Sequence, residues 1–223
     1  MASSVDNIPE GSVLVVGLGR FGTALASTLD KLDRDILILE NNPALVEKFS
    51  HRFHVIQADA TNIEALAQAG AAEFSSAVVS VGSNIESSVL ITANLSEFNI
   101  PQIWAKAISR SHGRILRKIG AHHVVFPEYD AGSRVAHMVF GKMLDYIDME
   151  DGFSVVKMKP PRSIQGFTLD EVKLQERYGV RVIGIKSPNR PFEYAHSGSH
   201  IAPDDILIVS GDGTELENFA RAR

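Results

Sequence analysis

The chain has 223 residues, 44% of them hydrophobic and 22% charged, with a net charge of −5 and no cysteine. That length supplies one domain of ordinary size plus a small one. The missing cysteine excludes disulfides, thiolate catalysis and cysteine-based zinc sites, and Lys and Arg form no basic tract of the kind nucleic-acid binding uses.

Residues 1–10 are polar and carry no signal-peptide pattern. No apolar run is long enough to span a bilayer, so any membrane role is expected to act through a partner, without direct insertion.

Val13-Leu14-Val15-Val16 is a continuous apolar run, as in a strand buried on both faces of a parallel sheet. It runs into Gly17-x-Gly19-x-x-Gly22, and Phe21, Ala24, Leu25, Thr28, Leu29 and Leu32 then recur at helical spacing. Glycines between a strand and a helix mark a phosphate-binding turn. Gly17 permits the turn, Gly19 lets the backbone approach a pyrophosphate, and Gly22 lets helix and strand pack closely. The helix N-terminus offers free N–H groups to the phosphate.

A second apolar run, Asp35 to Glu40, ends in a carboxylate suited to ribose hydroxyls. Asn41, Asn42 and Pro43 follow, with no Arg to meet a 2′-phosphate, which favours NAD, ATP or ADP. The bland alternative is a tight turn and a solvated strand end.

Asn42 and Pro43 open a helix through His51. Phe53–Gln57 is expected as strand three, and Thr61 with Glu64 as a capping box for a helix through Ala69, stopped by Gly70. Ala77–Val81 reads as strand four, Asn84 to about Phe98 as a helix, and Gln102–Lys106 as strand five. Ser109–Ile119 is a helix closed by Gly120, and His122–Phe126 is strand six. Six alternating β–α units predict an α/β fold, a doubly wound parallel Rossmann sheet of order 3-2-1-4-5-6, over residues 11–129.

Residues 130–147 are expected as one further helix, with Ala131, Val135, Met138, Val139, Leu144 and Ile147 as a loose stripe. Asp145, Asp148, Glu150 and Asp151 are read as a solvated linker rather than a metal site, giving a connector over 130–151. From residue 152 to 223 the pattern is a small α+β lobe. It has strands at Phe153–Met158, Val180–Lys186 and Asp205–Ser210, a helix from the Thr168/Glu171 capping box to near Gly179, and a last helix over Thr214–Ala222. Its few core residues suggest pairing with a second copy.

Catalytic equipment is sparse. His122 and His123 are adjacent on a strand and so point to opposite faces. His196 and His200 have i,i+4 spacing but lie in a Gly/Ser loop, and no nucleophile-elbow, Walker-lysine or zinc-protease motif is present.

Val-Val-Gly-Leu-Gly-Arg-Phe-Gly (15–22), Ala-Asp-Ala-Thr (58–61), Ile-Trp-Ala-Lys-Ala (103–107), Leu-Arg-Lys-Ile-Gly-Ala (116–121) and Pro-Glu-Tyr-Asp-Ala-Gly (127–132) together resemble the RCK (KtrA/TrkA-type) regulatory subunits of bacterial potassium uptake systems. The resemblance covers nearly the whole chain. It implies a non-enzymatic, cytoplasmic subunit that dimerises, assembles into an octameric ring and gates a membrane potassium channel subunit (KtrB/TrkH-like), peripheral to the membrane through that partner. It implies ATP as activator and ADP as inactivator, with NAD/NADH as the other nucleotide choice.

The implied nucleotide site comprises Gly17, Leu18, Gly19, Arg20, Phe21, Gly22, Glu40, Asn41, Asp59, Ala60, Val81, Gly82 and Lys106. Arg20 reaches the γ-phosphate, Asp59 the adenine edge and Lys106 the phosphates. Glu128 is the implied ligand of a divalent cation, Mg²⁺ or Ca²⁺, and is expected to reach the site from a dimer partner. Cyclic di-AMP is a further implied ligand of the C-terminal lobe, near Val182, Ile183 and Lys186, although Tyr194-Ala195-His196-Ser197-Gly198 departs from the family pattern there. The competing readings are an NAD-dependent oxidoreductase and a free-standing nucleotide-binding regulator.

Overall fold

The computed structural model describes residues 11–139, 142–149 and 151–222. The polar stretch 1–10, positions 140 and 141 of the expected connector helix, Glu150 of the acidic run and the final Arg223 lie outside the described residues.

The first unit is the expected βα alternation: β1 (Val13–Val16), α1 (Arg20–Lys31), β2 (Ile36–Glu40), α2 (Pro43–Phe49), β3 (Val55–Gln57), α3 (Ile63–Gln68), β4 (Ser76–Val79), α4 (Ile85–Glu97), β5 (Gln102–Lys106), α5 (Arg110–Lys118) and β6 (His123–Val125). All pairs are parallel, in the order β3-β2-β1-β4-β5-β6. The period-2 alternation of strand side chains divides the core. Leu14, Val16, Leu37, Leu39, Ala77 and Val79 face one layer of helices, while Val15 and Ile38 face the other with Ala26 and Phe53. Burial on both faces is why these strands read as unbroken apolar runs.

Helix starts follow local chemistry. Asn42, Asn84 and Ser109 each accept a first-turn backbone N–H. The cap of α3 is Asn62, not Thr61: Asn62 Oδ1 accepts the Glu64 N–H at 2.8 Å, while the Thr61 hydroxyl donates to Asp59 Oδ1 at 2.7 Å.

The chain divides into two compact units between Glu128 and Tyr129. Helix α6 (Pro127–Val139) is shorter than expected, because Met143–Asp148 is a strand, β7, paired antiparallel with β8 (Phe153–Met158). The expected helix over 130–147 is corrected accordingly, and the acidic run read as a linker contributes Asp145 and Asp148 to β7. The apolar residues taken as one helical stripe belong to two elements, and Asp145 is a strand residue in a bidentate pair with Arg134, at 2.6 and 2.7 Å. Asp151 and Gly152, both at positive φ, are an Asp-Gly hairpin signal within the acidic run.

The second unit continues through α7 (Leu169–Val172), α8 (Leu174–Tyr178), β9 (Arg181–Lys186), β10 (Glu193–Tyr194), β11 (Ile206–Asp212) and α9 (Gly213–Arg221). Its antiparallel sheet runs β10-β9-β11-β8-β7. Val156, Met158, Leu207 and Val209 pack with Leu174, Leu216 and Phe219 of the helices. The Thr168/Glu171 capping box forms, but the helix it opens breaks at Lys173 (φ 46°), which yields α7 and α8 instead of one helix.

One buried histidine sits in the first unit. His112 of α5 is 1% exposed; its Nδ1 accepts the Ile108 N–H and its Nε2 has no partner. Burial lowers its pKa from the ordinary value of 6.5. Below that value the unfolded chain takes up a proton that the fold disfavours, so stability falls as pH drops through that range. Thermal unfolding from about pH 7.5 to pH 5.5 should show a falling midpoint, and His112→Gln should make that fall shallower.

Candidate functional site

Close packing fixes the glycine loop. Gly17 takes φ +99°, and the Ser80 hydroxyl donates to its carbonyl at 2.7 Å. A Cβ on Gly22 would stand 2.1 Å from the Gly17 carbonyl oxygen and 2.5 Å from Ser80 Oγ. Gly22 therefore sets how near α1 comes to β1. Gly19 differs: its backbone is extended, at φ −63° and ψ −177°, and a Cβ there would meet nothing within 4 Å. Neither conformation nor packing inside the protein requires a glycine at that position.

Glu40, 7% exposed, ties this loop to the next one. Its Oε2 accepts the Leu18 N–H at 2.5 Å and its Oε1 the Asn42 N–H at 2.8 Å. A carboxylate accepts about four hydrogen bonds, so each oxygen keeps capacity for one more. At the start of α1, Gly19 provides no side-chain cap and the first turn carries no acidic residue. The positive end of that helix is left without a countercharge from its own first turn.

Two adjoining cavities occupy the carboxyl ends of the strands, where the sheet order reverses between β1 and β4. One, of about 290 Å³, is walled by Val16, Glu40, Asp59, Ala60, Val81 and Asn84, among others. The other, of about 380 Å³, is walled by Gly19, Arg20, Phe21, Ser80, Gly82 and Lys106, among others. Gly17, Glu40, Asn41, Val81 and Ser83 border both.

Of the thirteen expected nucleotide residues, Leu18 and Gly22 alone line neither cavity. Leu18 presents its N–H to Glu40, and Gly22 packs beneath the loop. Sequence reading missed Ser80, Ser83, Asn84 and Ser87, which lie at the end of β4 and the start of α4. Their signal was position: β4 borders the reversal point of the sheet.

Lys106 is mostly covered, with its Nζ 5.9 Å from the Phe21 ring centroid and 2.6 Å from Glu128 Oε1. Within one chain, Glu128 is thus held beside Lys106 of the cavity wall. The cause is register: Lys106 pairs with Val125 across β5–β6, and α6 starts two residues later. The hydrogen bond from Lys106 chiefly, with smaller contributions including the charge of Arg20, holds the Glu128 carboxyl below its usual pKa.

The histidines do not gather. The His122 ring accepts the Ile103 N–H, His123 stacks on Trp104 at 3.9 Å, and His200 meets the Gly166 carbonyl. No group of three potential His or carboxylate metal ligands forms among the described residues. No helix among them is long and apolar enough to cross a membrane.

The TrkA-N domain family matches residues 13–127, more than half of the chain. The chain belongs to the TrkA-N family. This TrkA-N protein is 30% identical to the Ktr system potassium uptake protein A of Bacillus subtilis (strain 168), over 92% of its own length and 93% of that protein's. It is 28% identical to the protein of the same name from Vibrio alginolyticus, over 92% of its own length and 94% of that protein's. Among solved structures, the GsuK RCK domain superposes with a TM-score of 0.67 at 18% identity, covering 95% of this chain and 48% of that one. The TrkA-N protein therefore spans about half of that chain, and the likeness establishes the two-lobed RCK fold.

Gly22→Ala forces α1 away from β1 and should cost this TrkA-N protein about 1–3 kcal/mol, read from chemical denaturation.

Proposed function

We propose that the chain is a cytoplasmic, nucleotide-sensing subunit that regulates a membrane potassium uptake system, binding to a channel subunit of that system as a ring of dimers. The kinship with the Ktr potassium uptake proteins supports the system. The observation that carries the nucleotide is Gly19. A glycine that the protein's own packing does not need, beside the uncapped start of α1, leaves room for a phosphate to touch the backbone.

The chemistry of the walls is recognition. Arg20 offers a planar fork and Lys106 a point charge to phosphates, and Glu40 keeps one acceptor site per oxygen for the ribose hydroxyls. The charge of Glu40 also disfavours a 2′-phosphate, so NAD, ATP and ADP are the ligand class. A solved GsuK channel bound to NAD shares the fold, with a TM-score of 0.66 at 17% identity. Among the described residues the charged groups on the cavity walls are Arg20, Glu40, Asp59 and Lys106, which suit recognition of a ribose and phosphates.

Gly19→Ala puts a methyl group where the phosphate approaches. The variant should unfold at the wild-type temperature while binding ATP, ADP and NAD about tenfold or more weakly by calorimetry. With a potassium channel subunit present, it should also lose nucleotide control of uptake. Wild-type affinity in this variant would remove the phosphate from the loop.

ATP and ADP differ by one phosphate, and Arg20 with Lys106 is the cation pair able to sense it. Lys106 is already paired with Glu128, so an arriving phosphate competes for Lys106 and frees the carboxylate. A freed carboxylate beside phosphate oxygens suits Mg²⁺ or Ca²⁺. Glu128→Gln should weaken the divalent-cation dependence of ATP binding and leave ADP binding nearly unchanged. An intact cation response in that variant would reduce Glu128 to a partner of Lys106.

A further inference from the structure

The second unit holds a cavity of about 440 Å³ whose walls include Lys142, Lys159, Arg162, Pro160 and Pro161, with the last turn of α9 at Ala220. It is separate from the cavity beside Leu174, Arg181, Val182 and His196, which borders the strand expected to meet cyclic di-AMP.

Three features set it apart. First, Met143 pairs with Met158 at the end of the β7–β8 ladder, and Lys142 and Lys159 lie immediately outside that pair, one on each strand. Like charges facing each other across strands destabilise a sheet. Further along the same ladder the charges are complementary, with Asp145 opposite Lys157. Second, Arg162 brings a third cation to the same wall directly after Pro160 and Pro161. Those two prolines are buried and have no N–H, so they add apolar wall and no donors. Third, the chain has 27 acidic against 22 basic residues, yet no described Asp or Glu lines this cavity. Lys142, Lys159 and Arg162 make no ion pair among the described residues.

We propose that this cavity is an anion site for a small phosphorylated ligand. The guanidinium of Arg162 presents paired donors to phosphate oxygens, and the two lysines add compact charge. A phosphate monoester carries about −1.5 to −2 charges, which offsets most of the threefold positive wall. The proline and alanine surface packs against the body of the ligand.

The test is calorimetric titration of the full chain with inorganic pyrophosphate, alongside Lys159→Gln/Arg162→Gln and Arg20→Ala. Wild type should show a site whose affinity falls steeply with salt and at least about tenfold in the double variant, since two charged donors are lost. That site should survive in Arg20→Ala, and the double variant should bind ATP as wild type does. Equal pyrophosphate binding in wild type and the double variant overturns the proposal, as does its complete loss in Arg20→Ala. A second reading needs no ligand. In low-salt, phosphate-free buffer, Lys159→Gln should raise the unfolding temperature by relieving the Lys142–Lys159 repulsion, and an unchanged or lower temperature counts against unpaired cations at this wall.

Discussion

The nucleotide-type cleft depends on the approach of α1 to β1. Gly22 stands so close to the Gly17 carbonyl that even a methyl group cannot be inserted, and the buried Ser80 hydroxyl holds that carbonyl from the β4 side. This pins the loop between two central strands and aims the uncapped end of α1 at the point where the sheet order reverses. Glu40 then fixes the neighbouring turn to the same loop through two backbone N–H groups. The cleft is preorganised by backbone contacts and by one buried carboxylate and one buried hydroxyl. Of its long charged side chains, Arg20 is exposed and Lys106 mostly covered.

The second unit is organised differently. Its core lies on one face of an antiparallel sheet, and α6 is held to it by polar contacts instead of apolar burial, since no residue of α6 is buried. Arg134 grips Asp145 of β7, and His137 lies 2.9 Å from Glu217 of α9 while its ring stacks on Tyr146 at 3.7 Å. A helix fastened by one exposed ion pair, one hydrogen bond and one stack is more easily displaced than one seated in a core.

The parallel sheet was legible because two-sided burial leaves unbroken apolar strands, and because Asn42, Asn84, Ser109 and Gly120 punctuate the helices between them. Most of the cleft was legible because its contacts are backbone contacts, which glycine spacing announces. The Thr61 cap failed because Asp59 captured its hydroxyl, a competition between two good partners that local spacing cannot rank. The helix over 130–147 failed because Leu144 and Ile147 fit a helical stripe as well as a strand, and the long-range pairing of β7 with β8 decided between them. Ser80 and the Lys106–Glu128 pair became visible only when strands distant in sequence were placed side by side.

Asp59 on the wall of one cavity, Arg20, Lys106 and the open start of α1 around the other, and Glu40 where the two meet give the cleft a polarity of its own. A carboxylate marks one cavity and two cations the other, before any ligand enters. A neutral guest can lie either way round at similar energy. A guest that is anionic at one end and hydroxylated at the other meets attraction in one orientation and repulsion in the other, with the low local dielectric enlarging the difference. The cleft therefore selects a direction of entry as well as a shape, and does so with charges already fixed in place.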